Sequence, residues 1–341
     1  MTLIRARAPL RISFAGGGTD VPPFSEREGG CVMNATISKY SYGTLRLRAD
    51  SRIQVESLDF GVQVEYESQD FARYDGRIDL VVAAIKRVKR NGSRGFDLFL
   101  HSDVPPGTGL GSSSSMMVTL VGLLKEFEDL PLGDYEIADL AYTIERKELG
   151  IEGGYQDQYA ATFGGFNFME FGKDRVIVNP LRIRRDTINE LEHNLLLCYT
   201  GGMRLSARII EDQVGRYERG EARAMEGMRQ LKRIASEMKN ALLQGRLNVF
   251  AELMNEAWEN KQKMSDKIIT PRIAEMHDAA LKAGALGGKL SGAGGGGYMM
   301  FYCPFEKKHK VAEVLKTLGG KITDFSFDQL GLQTWRVNEK G

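Results

Sequence analysis

Glycine makes up 39 of the 341 residues, about 11% against a usual ~7%, and its clustering constrains the fold more than any other feature. Three clusters stand out: Gly16-Gly17-Gly18, the stretch 107–111, and the stretch 292–297. Glycine loses the most backbone freedom on folding, so bunched glycines mark places that need positive φ or a close backbone approach. Each cluster borders a strand pattern. Residues 12–15 run into the first, 96–101 precede the second, and 298–303 come after the third. The expectation is ordered loops at strand ends.

The second cluster reads Val104-Pro105-Pro106-Gly107-Thr108-Gly109-Leu110-Gly111-Ser112-Ser113-Ser114-Ser115 and leads into a helix expected over 116–127. Unpaired amides at a helix N-terminus, with the positive dipole end behind them, suit an anion. The hydroxyls can donate to phosphate or ligate a cation. Ser112 follows Gly111 where a Walker A loop needs lysine, and GxGxGS is not the GxGxxG of a dinucleotide turn. Residues 292–297 do spell GxGxxG, but a strand pattern comes next instead of a helix. A glycine-rich hairpin approaching a ligand or another backbone fits that context better. Gly16-Gly17-Gly18-Thr19-Asp20 reads as a turn in which Asp20 can cap the next segment. Glu145, in a helical stretch, and Asp157, near the start of a short helix, are the carboxylates that stand out. A helix start stabilises an ionised carboxylate, and an aspartate there is more often a cap than a catalyst. The four histidines show no ligand spacing to each other or to cysteine, so zinc is not expected.

Between the clusters, residues 42–48, 53–58 and 62–67 alternate with period two and suggest an antiparallel meander. Residues 79–89 and 135–148 read as helices, and 204–264 are almost entirely helix formers. Thr270-Pro271 is an N-cap with proline in the first helical position, and Gly284 ends that helix. A change of character near residue 185 suggests domains 1–185 and 186–341. With 46 basic and 45 acidic residues the net charge is +1, which offers no field to nucleic acid or to a membrane surface. No apolar run approaches the ~18 residues of a membrane helix, and residues 1–30 contain no signal-type apolar stretch. Cys31, Cys198 and Cys303 are odd in number and far apart, which fits reduced thiols in a cytoplasm. A homodimer is left open.

Ala8-Pro9-Leu10-Arg11-Ile12-Ser13-Phe14 through Asp20, residues 105–115, and Lys289-Leu290-Ser291-Gly292-Ala293-Gly294-Gly295-Gly296-Gly297-Tyr298 resemble, in order, the three motifs of the GHMP kinase superfamily. That group includes galactokinase, homoserine kinase and mevalonate kinase, and the resemblance spans essentially the whole chain. It implies an α/β (α+β) two-domain fold, with an N-terminal ribosomal-S5-like domain and a C-terminal ferredoxin-like one. It also implies ATP as phosphoryl donor, with Mg2+. Pro106, Gly107, Gly109, Leu110, Gly111, Ser112, Ser113 and Ser114 would bind the nucleotide, and Ser113 and Glu145 the metal. Asp157 would face the acceptor hydroxyl, with Arg11 beside it.

Galactokinase-like members carry Gly-Glu-His-Thr-Asp where this chain has Gly16-Gly17-Gly18-Thr19-Asp20, which argues for a sugar held differently from galactose. Together with Tyr199-Thr200-Gly201-Gly202-Met203-Arg204 and Trp258-Glu259-Asn260-Lys261, this segment resembles the bacterial D-glycero-D-manno-heptose 7-phosphate 1-kinases. The implied substrate contacts are Gly17, Gly18, Thr19, Asp20, Gly201, Arg204, Lys289, Gly294 and Gly295. Arg204 and Lys289 are the candidates for a second phosphate, whereas Arg208 reads more readily as a solvated charge. The competing readings are a fucokinase-like or galactokinase-like enzyme taking an unphosphorylated sugar, and a sensor that keeps the fold without the chemistry.

Overall fold

The computed structural model describes every residue except 1, 60, 68–73, 75, 77, 91–93, 203–205 and 339–341. Its first sheet is built on two long antiparallel strands, β1 (Thr2–Ala15) and β2 (Gly30–Leu47), with the short α1 (Phe24–Arg27) between them. Their register shifts between Pro9 and Leu10 and again between Ser13 and Ala15, as bulges do where a strand must bend. β3 (Ile53–Ser57) and β4 (Val62–Tyr66) form a hairpin, and α2 (Asp79–Val88) and β5 (Phe96–Ser102) come next. β2 pairs with β5 through residues 41–47 and with β6 (Phe166–Gly172) through residues 30–35. β7 (Arg175–Pro180) completes that branch.

The expected meander over 42–67 is only half present. β3 and β4 pair as expected, but β5 lies between β2 and β3 and runs parallel to β3. Alternation reports which side chains face a core and is silent about which strand becomes the neighbour. α3 (Ser112–Phe127) packs on β1 and β2, with α2, α4 (Asp134–Tyr142) and α5 (Gln156–Phe163) around it. The helix expected over 135–148 changes character at Thr143–Glu148, a π-helical turn of the kind that often marks functional sites.

α6 (Arg185–Asn194) is not legible as a helix in the sequence, because Ile188 and Leu191 are its only apolar residues, too few to set a period. β8 (Leu195–Tyr199), α7 (Ser206–Glu218), α8 (Ala222–Leu243), α9 (Leu247–Gln262) and α10 (Pro271–Ala283) continue the chain. Thr270 Oγ1 accepts from the amide of Ile273, Pro271 opens α10, and Gly284 closes it at φ +116°, as expected. β9 (Gly287–Leu290), β10 (Tyr298–Tyr302), α11 (Phe305–Thr317) and β11 (Lys321–Thr323) complete a second sheet, antiparallel in the order β11-β8-β10-β9. β12 (Gln333–Asn338) then returns to pair with the outer edge of β1. No described helix is long and apolar enough to cross a membrane.

Leu10, Ile12 and Phe14 of β1 enter one core with α8, α9 and the second sheet. Phe14 is its centre, meeting Phe250 of α9 edge-on at 5.1 Å between ring centroids, with Phe166 and Phe327 at 6.4 Å. By strand alternation Arg11 and Ser13 point away from that core. Phe14→Ala should cost about 3–5 kcal/mol, read from the urea midpoint. A loss under ~1 kcal/mol would show that the two sheets do not depend on this contact.

Candidate active site

The loop 104–111 is held from two sides. From β1, Arg11 donates through Nη1 to the carbonyl of Gly109 at 2.6 Å, and its amide donates to the carbonyl of Leu110 at 3.0 Å. From the third cluster, Ser291 Oγ donates to Gly109 O at 3.0 Å, and the Tyr298 amide donates to Thr108 O at 3.1 Å. Glycine is required on both faces of this contact. A Cβ on Gly109, at φ +82°, would lie 2.5 Å from Ser291 O, and one on Gly292, at φ +78°, would lie 2.7 Å from Gly109 Cα. The third cluster is thus a loop approaching another backbone, one of the two uses expected for it. α3 starts directly after Gly111, which adopts φ +77°, so its free amides and serine hydroxyls open onto a cavity of about 300 Å³.

Glu145 is fully buried, and everything around its carboxylate donates to it. Ser113 Oγ reaches Oε1 at 2.7 Å; Ser114 Oγ and Gln158 Nε2 reach Oε2, each at 2.7 Å. Arg146, the next residue in the π-helical turn, lies 3.4 Å from Oε1 and donates to Ser114 Oγ at 3.0 Å. The wider turn lets two consecutive residues, an acid and a base, face the same serines.

Elsewhere in the cavity wall, Arg11 donates to one oxygen of Asp157, through Nε at 2.7 Å and Nη2 at 2.6 Å to Oδ1. Asp157 Oδ2 is left toward the cavity beside Gly111. Two lysines complete the wall, both buried. Lys261 of α9 donates to the carbonyl of Gly17 at 2.9 Å, and Lys289 of β9 to that of Ser13 at 2.5 Å. Burial pushes Lys261 down to about 8, with Asp20 opposing and Arg11 assisting. Burial pushes Lys289 down to about 7, reinforced by the charges of Lys261 and Arg11. Asp20 is pushed up by burial, although it accepts from the amides of Gly18 and Gln156.

Arg11, Gly17, Gly18, Asp20, Gly107, Gly109, Gly111, Ser112, Ser113, Ser114, Glu145, Asp157 and Lys289 therefore meet around one cavity. Thr19 does not face it: its hydroxyl has the carbonyls of Gly16 and Cys31 within reach for its one proton and accepts from the Cys31 amide, which makes it a strut of the turn. Pro106, Leu110, Gly201, Gly294 and Gly295 are also absent from the lining; Leu110 is buried, Gly294 packs on Ile268, and the Gly295 amide donates to Ile268 O. Arg204 lies outside the described residues, and Arg208 is exposed and is not among the residues that line the cavity. Sequence reasoning gave no site role to Ser13, Arg146, Gln156, Gln213 or Lys261, all of which line it. Lys261 did leave a signal. It falls on the apolar stripe Met254, Ala257, Trp258 of α9, where a lysine is out of place.

Two family descriptions match the chain, "GHMP kinases N terminal domain" over residues 79–165 and "GHMP kinases C terminal" over 238–321. A Campylobacter jejuni protein named D-glycero-alpha-D-manno-heptose 7-phosphate kinase is 41% identical over 99% of this chain and 100% of its own. The chain belongs to the GHMP kinase family. Among solved structures, a Bacteroides thetaiotaomicron protein described as a D-glycero-D-manno-heptose 1-phosphate kinase superposes with a TM-score of 0.83. It shares 37% identity over 98% of this chain and 100% of that one. A Campylobacter jejuni protein described as a putative sugar kinase gives 0.80 at 41% identity, covering 98% of each chain. A Lactococcus lactis galactokinase, 19% identical over 98% of this chain and 95% of its own with a TM-score of 0.78, shares the fold. This GHMP kinase is a sugar kinase, a phosphotransferase, and the family uses ATP as donor.

The lysine wall has a pH signature. Burial disfavours the ammonium, so Lys289 is charged below about pH 7 and neutral above it, and Lys261 changes near 8. The KM for a phosphorylated acceptor should therefore rise several-fold from pH 7 to pH 9, while that for a neutral sugar stays level. Equal profiles for both acceptors would remove the lysines from anion capture.

Proposed function

We propose that this GHMP kinase transfers the γ-phosphoryl group of ATP to the anomeric hydroxyl of D-glycero-D-manno-heptose 7-phosphate. The product would be the 1,7-bisphosphate used to make nucleotide-activated heptose, and the reaction would take place in the cytoplasm. The observation that carries this reading is the surplus of buried positive charge on the acceptor side. Arg11 already balances Asp157, and among the described residues Asp20 is the one further carboxylate beside two amines, Lys261 and Lys289, so the wall carries positive charge to spare while both are protonated. Such a wall suits an acceptor that brings its own anion. The name carried by the 41% identical relative points to the same substrate.

In this reading the triphosphate lies against Gly107, Gly109, Gly111 and the serines that open α3. Mg2+ fits the residues present. Ser113 Oγ and Glu145 Oε1, a hydroxyl and a carboxylate oxygen of residues that line the cavity, are the hard oxygen donors that would hold it in place of the hydrogen bond they share. Bound there, it would neutralise phosphate charge. Asp157 Oδ2 receives the acceptor hydroxyl, and Arg11 fixes that orientation by holding Oδ1. The acceptor oxygen then bonds to the γ-phosphorus as the bond to the bridging oxygen breaks, and ADP leaves. The hydroxyl proton departs toward Asp157. A loose transition state needs little help from a base, so alignment is the larger share of what Asp157 supplies.

One observation favours an unphosphorylated sugar instead. Both lysines already donate to backbone carbonyls of the first motif, so their charge has a structural use without a second phosphate. An ADP-release assay with ATP and Mg2+ separates the readings, using heptose 7-phosphate, mannose 6-phosphate, fucose, galactose, mevalonate and homoserine as acceptors. Turnover confined to the phosphorylated heptose is the expected result; turnover with a neutral sugar would discard the second anion. Asp157→Asn should lower kcat by ~100-fold or more with ATP binding retained. Near-normal turnover in that variant would free Asp157 from its role.

A further inference from the structure

Helix α7 turns one face to the cavity. Ala207, Ile210 and Gln213 follow one another at spacing three and all line it, so Gln213 is the polar group of that face among the described residues. Its side chain is buried, with 3% of the residue exposed. Nε2 donates to the carbonyl of Ala293, in the third glycine cluster, at 3.4 Å. That bond fixes which way round the carboxamide sits, because Oε1 in the same place would meet a carbonyl lone pair to lone pair. Oε1 accepts from no described residue, yet it is not sealed into the protein as Ser13 Oγ and Gln156 Oε1 are.

The neighbours of Oε1 say where it opens. A Cβ on Gly18 would lie 3.5 Å from Gln213 Oε1 and 3.3 Å from Lys261 Nζ. Gly18, Lys261 and Ala293 all line the cavity of about 300 Å³. The space on the other flank of Gly18, walled by Val21, Tyr217 and Met228, is only about 10 Å³, room for no more than one water. A ligand that meets Oε1 therefore comes from the larger cavity. Asp157 and Arg11 act elsewhere in it, against Gly109 and Gly111 of the loop before α3.

The chemistry of the two groups narrows what lies between them. A carboxamide oxygen has only lone pairs, so its partner must bring a proton. Lys261 spends one N–H on the carbonyl of Gly17 and, while protonated, offers only donors with the rest. A ligand amine would be repelled by that ammonium, and a fully ionised phosphate has no proton to give Oε1. A hydroxyl satisfies both, because it donates to the one and accepts from the other.

Resting on the sugar-acceptor reading above, we propose that Gln213 is a specificity residue whose Oε1 accepts a hydrogen bond from a second hydroxyl of the sugar, one that takes no part in the transfer. A sugar lacking that hydroxyl displaces water from Oε1 and returns nothing, which leaves a buried acceptor unpaired.

The test measures kcat/KM for heptose 7-phosphate and its 2-, 3-, 4- and 6-deoxy analogues, which remove each free hydroxyl except the reacting one. It is run in the wild type, Gln213→Leu and Gln213→Met; methionine keeps the length of the side chain, so it stands should leucine disturb α7. The wild type should reject at least one analogue by ~10–100-fold. Each variant should lose about as much on the parent sugar and little on that analogue, shrinking its penalty at least ~10-fold. The penalties for the other analogues and the KM for ATP should not move. Equal losses on all five sugars are what a merely structural role gives, and would overturn the assignment. So would unchanged values in both variants, or a wild type indifferent to all four hydroxyls, and each of these leaves the kinase reading intact. Wild-type silence on heptose 7-phosphate, with turnover of another acceptor among the six named above, would overturn the heptose reading and this assignment with it.

Discussion

The site depends on a place where two backbones touch with no side chain between them. Gly109, in the loop before α3, rests on Ser291 and Gly292, and Gly297 lies so close to Thr108 that a Cβ would come within 2.2 Å of its carbonyl oxygen. The two segments are more than 180 residues apart in sequence, as the Ser291–Gly109 hydrogen bond shows. Because Arg11 also holds Gly109, two segments converge on one loop, and the amides at the start of α3 are aimed by both. Substituting any of these glycines would push the sheets apart or turn the loop away from the cavity.

Around that contact the structure accumulates features a purely stable core would avoid. Glu145 is fully buried with only donors about it, two lysines lie buried within reach of each other's charge, and Gln213 keeps an oxygen without a partner among the described residues. Elsewhere the core is conventional, with Phe14 at the junction of β1, α9 and the second sheet. The two buried lysines and the fully buried Glu145 are thus gathered at the cavity. Local rules broken together in one place are the mark of a ligand-binding site, because the ligand supplies the missing partners.

Much of this is legible in the sequence. The strand–glycine–serine–helix order of 104–127 announces a glycine loop opening a helix, and the strand after 292–297 argues against a dinucleotide fold, because local patterns carry local structure. The α10 boundaries come from Thr270, Pro271 and Gly284 for the same reason. The neighbour of β3, the helix α6 and the inward aim of Gln156 are not legible. Strand order is settled by long-range packing, α6 carries almost no apolar signal, and a glutamine beside an aspartate looks the same facing water or a cavity.

What the sequence by itself determined is the set of parts: where glycine must replace a side chain, where a helix begins with free amides and hydroxyls, and which carboxylates stand near those starts. Those are consequences of backbone sterics and of hydrogen-bonding capacity over a few residues, so a few residues suffice to state them. Only the tertiary structure decided which parts meet. It set Lys261 of α9 and Lys289 of β9 against the first motif, turned Thr19 inward as a strut, and brought Gln156 against Asp20 in the cavity wall. Burial and charge proximity belong to the assembled fold, where segments hundreds of residues apart share one low-dielectric space.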